Sequence, residues 1–375
     1  MKRIKYFIHY DVNNNEGRGY TLAATNKAEY IIDVLNKIGY GVDIVSLSLI
    51  SNKGYIKSSE TQLSEKNSLI KLTAFKWGNI IQKIIAYAGS NLELLFYLLF
   101  KCKKNEEIIV YHSLANITIL KIAKTVKKFK MILETEEIYN DVIRKSERKR
   151  EKEIQFIKCA DKYIFPTEML SCKVNDNKPY CIIHGTYQVE ENRNVSFYDD
   201  KIHVVYAGTF DPRKGGVLSS VCAAMYLPKI YHVHILGFGN KNDIENIRNK
   251  IEEVNKKSKA TVTYDGLLAG EEYIRFIQKC HIGLSTQNPD AEFNATSFPS
   301  KILSYMANGL RVVSIRIPAI ETSAIGNDMY YYNEQTPENI AKAIMAINFN
   351  DGYDGRKKIE KLDKRFSNEL KRILS

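Results

Sequence analysis

The chain of 375 residues is 44% hydrophobic and 26% charged, the composition of a soluble globular protein with ample material for a large core. It is too long for one small core, and the length favours two domains. The formal charge of +12 is unevenly placed: residues 1–195 hold 31 Lys/Arg against 22 Asp/Glu, the remainder 24 against 21. The basic first half fits a polyanionic or membrane-surface partner, or a general basic bias of the sequence.

The opening MKRIKYFIHYDV has too short an apolar run for a signal peptide, and 6–9 reads as a strand. Residues 22–38 have helical period and end at Gly39; 42–47 is the next strand, and polar 48–70 reads as an irregular loop. Residues 79–101 read as one long apolar-faced helix followed by KCKK. No run reaches about 18 consecutive apolar residues, so no membrane-spanning helix is expected. That helix next to a basic cluster suits either docking on an anionic membrane surface or packing against a sheet. Strands at 108–111, 131–133 and 162–165 alternate with helices at 114–129 and 145–159, an order that argues a parallel sheet covered by helices.

Residues 188–200 are polar, lack a hydrophobic period and read as a linker; the alternation then restarts. Strands fall at 203–207, 232–236, 262–264, 282–285 and 311–314, helices at 215–227, 241–257, 270–280, 336–347 and a highly charged 355–374. Two consecutive doubly wound halves place ligands in a cleft between carboxyl edges of strands. The six cysteines form no C-x-x-C pair and have no histidine at metal-ligand spacing, which fits free thiols in a reducing cytosol.

The stretch SFPSKILSYMANGLRVVS, 297–314, reads as a short helix with Ser297 as its cap and Pro299 in its first turn, stopped by Asn308-Gly309 before a buried strand. Its mouth carries Ser297, Ser300 and Lys301, the composition either of an anion site or of an ordinary helix cap beside a surface lysine. VVYAGTFDPRKGG, 204–216, ends a strand at Ala207; Gly208 permits close approach, and Arg213 and Lys214 bring cations ahead of the next helix. Such a unit suits a diphosphate, although it is not a Walker A loop, or else is an ordinary βα turn with surface Arg and Lys. Gly237 and Gly239 of HILGFGN, and Asp265-Gly266 of VTYDGLL, should lie along the same edge. No Asp-x-Asp stands in a strand-end context, and no nucleic-acid-binding motif supports reading the charge as a nucleic-acid surface.

In the first half, Gly17 and Gly19 of DVNNNEGRGYT either approach a ligand's phosphates or shape a solvated loop. His112, after the strand IIVYH, either orients a substrate hydroxyl or is structural. Glu134, Glu136 and Glu137 follow another strand end; one of them binds or deprotonates a substrate hydroxyl, or most are simply solvated or paired with nearby Lys/Arg. His184 and Gly185 of HGTY stand where the chain should cross into the second domain.

In the order AGTFDPRKGG, LGFG, FPSKILSYMANGLRVVS, spread over about 120 residues, the second half resembles the donor domain of GT-B glycosyltransferases, most of all glycosyltransferase family 4. The FPSK form is similar to a bacterial polysaccharide-assembly subset of that family. The resemblance implies two Rossmann-like doubly wound domains facing across a cleft: 1–195, acceptor, joined by a returning helix at 357–375, and 196–356, donor. It implies transfer of a sugar, with retention, from a nucleoside-diphosphate donor (UDP favoured) to a glycan or lipid-linked saccharide. No metal, other cofactor or nucleic acid is expected, and the place expected is the cytoplasm or the inner face of the membrane. Lys214 keeps the family's lysine; Ser300 and Lys301 would meet the diphosphate, with Gly17, Gly208, Thr209, Arg213, Gly237, Gly239, Ser297, Pro299 and Ser304 around the donor. His112, Lys214 and Lys301 are the expected catalytic groups, and Glu134 and Glu136 the expected acceptor contacts. Thr209 stands where the family usually has arginine, and Thr296 and Ser304 where it often has glutamates, the second of which commonly holds the ribose. Rival readings are a sugar-nucleotide epimerase, or a nucleotide-binding subunit or scaffold that needs a catalytic partner; a phosphorylase would need a pyridoxal-phosphate lysine, for which no candidate is evident.

Overall fold

The structure is a computed structural model that describes residues 1–11, 17–19, 22–47, 49–50, 54–142, 146–211, 215–291, 294 and 296–375, with backbone only at 22, 23 and 142. The chain forms two compact units, Met1–Ile183 with Arg365–Ser375, and His184–Lys364. Each is a helix-covered, largely parallel sheet, the doubly wound arrangement expected of two Rossmann-like domains.

The first unit holds an eight-stranded sheet. Its strands run, side by side, Tyr180–Ile182, Lys162–Phe165, Lys130–Glu134, Glu107–Tyr111, Lys2–Ile8, Tyr40–Ser46, Asn67–Lys71 and Ser59–Gln62. The central strands read as nearly continuous apolar runs because helices cover both faces. The expectation of an irregular loop over 48–70 is corrected. Ser68 and Leu69 are buried, and Asn67–Lys71 extends the sheet parallel to Tyr40–Ser46; Ser59–Gln62 then closes the edge antiparallel. The polar composition concealed strands whose outer faces meet solvent.

The helix Ile80–Lys101 starts at Asn79, whose side chain accepts from Gln82 N (2.9 Å) while Gln82 Oε1 accepts from Asn79 N (3.1 Å). Leu94 and Leu98 anchor its second half in the core with Phe7, Val110 and Phe129. By length and composition it could cross a membrane, but only 22% of its most apolar window is buried inside the fold. Ile80, Ile81, Ile84, Ile85, Leu92, Phe96 and Phe100 face outward, with Ile80 71% and Phe100 76% exposed.

The second unit holds a six-stranded, wholly parallel sheet in the order Thr261–Gly266, Tyr231–Phe238, Ile202–Thr209, Ile282–Ser285, Arg311–Ile315, Tyr330–Tyr332. Residues 188–200 have no regular structure but bond to this unit: Glu190 N donates to Ala307 O (3.2 Å) and Arg193 N to Gln278 Oε1 (2.8 Å). The helix Lys301–Ala307 starts later than expected. Its cap position is Ser300, with no side-chain capping bond, so Ser297 does not cap it; Pro299 precedes it, and Pro299 O accepts from Ile302 N (3.0 Å). Asn308-Gly309 does stop it, Gly309 N donating to Met306 O at 3.0 Å.

At the carboxyl end of the sheet Gly208 pairs with Gly237. Gly237 has φ +138°, and a Cβ there would lie 1.8 Å from Gly208 O. Backbone blocks backbone, so no rotamer change relieves the clash. Gly237→Ala should cost about 3 kcal/mol through strain and overpacking. Urea unfolding measures it; an unchanged midpoint contradicts this packing.

Candidate functional site

A cavity of about 500 Å³ opens at the carboxyl edge of the second unit's sheet. Gly208 and Thr209 line it from the end of Ile202–Thr209, and Ser297, Pro299, Ser300, Lys301 and Ser304 from the segment before the short helix and its first turn. Tyr206, Ala207, Tyr273, Thr286, Gln287 and Phe298 complete its walls. Among the described residues, none of those walls is a carboxylate and one is a cation, Lys301. Such a site favours an anion electrostatically.

Lys301 Nζ lies over the Tyr206 ring, 4.0 Å from its centroid. A Cβ on Gly208 would stand 3.1 Å from that nitrogen, so glycine keeps the path of the ammonium clear. Tyr305, fully buried behind the helix, accepts from Ala207 N at 2.8 Å and ties helix to strand end. Burial pushes the Tyr206 phenol to about 12, so it stays neutral beside the lysine. Ser304 Oγ lies 3.2 Å from Tyr273 Oη. The His184 ring stacks on Phe298 of the Ser297–Lys301 segment (4.6 Å between centroids), and the His184 backbone N–H donates to Tyr187 Oη at 2.9 Å.

The cavity thus gathers seven of the expected donor-site residues: Gly208, Thr209, Ser297, Pro299, Ser300, Lys301 and Ser304. Gly237 and Gly239 are not among its walls. Gly237 sits against Gly208 O, and Gly239 packs on Phe210 and Asp243; the glycines serve strand-end packing. Arg213 and Lys214 lie outside the described residues. The sequence reading missed Tyr206, Tyr273, Thr286, Gln287 and Phe298. Thr286 directly follows the end of Ile282–Ser285, a usable signal, whereas Tyr206 lies inside the strand Ile202–Thr209 and Tyr273 within the helix Gly270–Lys279.

The remaining candidates belong to the first unit. Gly17 has φ +68° beside the bridge between Arg18 and Ile50. His112 follows Glu107–Tyr111 but is 1% exposed, stacked on Tyr139 and Phe156 with Nε2 3.5 Å from Glu153 Oε1. Burial drops its pKa to about 4, so it is neutral at pH 7. Glu134 is the last residue of its strand and fully buried, not solvated; the Tyr6 hydroxyl donates to it. Burial, opposed by Lys27, raises its carboxyl to about 8. Glu136 pairs with Lys27 at 2.5 Å.

No protein-family model and no curated protein matches this sequence. Solved structures are similar along the whole chain. A sucrose-phosphate synthase from Thermosynechococcus elongatus superposes with a TM-score of 0.68 at 14% identity, covering 100% of this chain and 98% of its own. An α,α-trehalose-phosphate synthase (UDP-forming) from Burkholderia xenovorans, in complex with glucose-6-phosphate, gives 0.68 at 9% identity and covers 100% of both chains. The E. coli trehalose-6-phosphate protein bound with UDP-2-fluoro glucose gives 0.64 at 11%, covering 99% and 98%. At these identities the likeness shows the fold: two Rossmann-like units of the GT-B kind.

Glu134 provides a test of the first unit's buried cluster. Unfolded, it ionises in the ordinary carboxylate range; folded, near pH 8. Between those values unfolding releases a proton, so this residue lowers stability as pH rises. In urea titrations Glu134→Gln should therefore gain on the unsubstituted chain from about pH 5 to about pH 8. A stability difference that stays constant over that range contradicts the buried, neutral carboxyl.

Proposed function

We propose that this protein is a glycosyltransferase that moves a sugar from a UDP-sugar to a glycan or lipid-linked saccharide, with retention of configuration, in polysaccharide assembly. The observation that carries the reading is the Gly208–Lys301 cavity: a cation, several hydroxyls and no carboxylate among its described walls, at the carboxyl edge of a Rossmann-like sheet. Support for UDP comes from the similar structures, described as UDP-forming or bound with UDP-2-fluoro glucose. The family 4 placement rests on the ordered motifs of the second half and the polysaccharide setting on the FPSK form; those similar structures are sugar-phosphate synthases.

Negative charge grows on the diphosphate as the sugar leaves, and a preorganised cation stabilises it most in the transition state. We assign that task to Lys301, with Ser300 beside it and Lys214 joining by its place in the motif, and require no metal for the step. The acceptor is assigned to the first unit. A second reading, a nucleotide-binding subunit without turnover, is favoured by Thr296 and Ser304 in place of the family's glutamates, Ser304 being engaged with Tyr273.

Lys301→Ala should weaken UDP binding about 10- to 100-fold, the loss of one charge-assisted contact. Calorimetric titration measures this, with circular dichroism confirming the fold. Equal affinity in the variant contradicts the site, and UDP binding without consumption of any UDP-sugar supports the second reading.

The acceptor side is proposed to work at the inner face of an anionic membrane. The outward stripe from Ile80 to Phe100 is flanked by exposed Lys83, Lys101, Lys103 and Lys104, and Ile122 and Val126 on the helix Ile117–Lys127 add exposed apolar surface. Apolar residues would enter the headgroup boundary while lysines meet anionic lipid. Vesicles containing phosphatidylglycerol should sediment the full chain better than phosphatidylcholine vesicles, and Ile84→Glu with Ile85→Glu should abolish it. Absence of sedimentation with either lipid, or binding undisturbed by the substitutions, contradicts membrane docking.

A further inference from the structure

Four of the seven histidines meet at the amino edge of the second unit's sheet, the edge opposite the cavity. Parallel register sets His203 beside His232, and His234 follows two residues on, on the same face as His232. His203 and His234 are buried, and one ring nitrogen from each of His203, His232 and His234 lies within 4.8 Å of the others.

The hydrogen bonds around the three rings fix where their protons sit. Asp199 Oδ1 lies 2.8 Å from His203 Nε2, and a carboxylate only accepts, so Nε2 carries the proton and Nδ1 a lone pair. Asp265 Oδ2 lies 3.1 Å from His234 Nδ1, which places that ring's lone pair on Nε2. Thr263 donates to the same Asp265 oxygen at 2.9 Å. Its hydroxyl oxygen then accepts from His232 Nε2 (3.1 Å), leaving His232 Nδ1 as a lone pair. In neutral rings, His203 Nδ1 and His234 Nε2 thus turn lone pairs toward each other at 2.9 Å. That arrangement repels unless a cation stands between them.

We propose that His203, His232 and His234 bind a divalent transition metal of the zinc class. Three neutral imidazoles suit such an ion. At bond lengths of about 2.0–2.1 Å, tetrahedral ligands sit roughly 3.4 Å apart, between the 2.9 Å and 4.8 Å found here. Asp199 and Asp265 occupy the outer position that fixes the tautomer of a metal-binding histidine and balances the ion's charge. Phe197 stacks on His203 (4.0 Å) and His234 (4.9 Å) and covers the cluster. His281 supports it differently, its Nδ1 accepting from His203 N at 3.0 Å. The ion's role is structural: it ties three neighbouring strands and the 197–199 segment together, away from the cavity. No spacing along the chain marks this cluster, because His203 is brought beside His232 by strand register.

The test is titration of the chelator-treated full chain with Zn²⁺, and with Co²⁺ as a spectroscopic probe. One equivalent should bind, with the visible absorption of tetrahedral Co²⁺ and a rise in melting temperature in excess Zn²⁺. His234→Gln should abolish the stoichiometric site, half-buried His232→Gln should weaken it while leaving the circular dichroism unchanged, and Asp265→Asn should weaken it about 10- to 100-fold. No stoichiometric binding by the unsubstituted chain, or binding undiminished in both histidine variants, overturns the proposal; the rings then share a proton instead.

Discussion

The close meeting of Gly208 and Gly237 at the carboxyl end of the second sheet sets the terms for the candidate site. With two glycines in register, the strand ends approach backbone to backbone. Because Gly208 has no side chain, Lys301 reaches over Tyr206 into the cavity. Tyr305 then locks the short helix to Ala207. A larger residue at either glycine would move the strand end, the lysine and the cavity wall together.

The same sheet has two chemically different edges. The cavity at its carboxyl edge has a cation, hydroxyls and no carboxylate among its described walls, an arrangement that rewards an anionic leaving group. Its amino edge carries histidines whose outer nitrogens face carboxylates, an arrangement that rewards a cation. Parallel strands permit this division because each edge collects residues from several strands at equivalent positions.

Much of this was legible in the sequence. The alternation of strands and helices carried the two doubly wound halves, and the stretch 297–309 carried the lysine, the hydroxyls and the helix stop. What was illegible came from distant segments. Tyr206, Tyr273 and Thr286 meet only after the sheet has formed, and 29 residues separate His203 from His232. The strand Asn67–Lys71 was hidden because its partner, rather than its own polarity, makes it a strand. Burial of Glu134 was also illegible: a carboxylate among charged neighbours reads as solvated until Tyr6 and the sheet are seen around it. Apolar period identified the helix Ile80–Lys101 but did not reveal how much of its apolar surface faces outward.

The central claim is that the Gly208–Lys301 cavity seats a nucleoside diphosphate, and a crystal structure of the full chain with UDP tests it most directly. The account predicts diphosphate density in that cavity, with phosphate oxygens within hydrogen-bond reach of Lys301 Nζ. Well-ordered UDP bound elsewhere, or a cavity holding only water at saturating UDP, would contradict it.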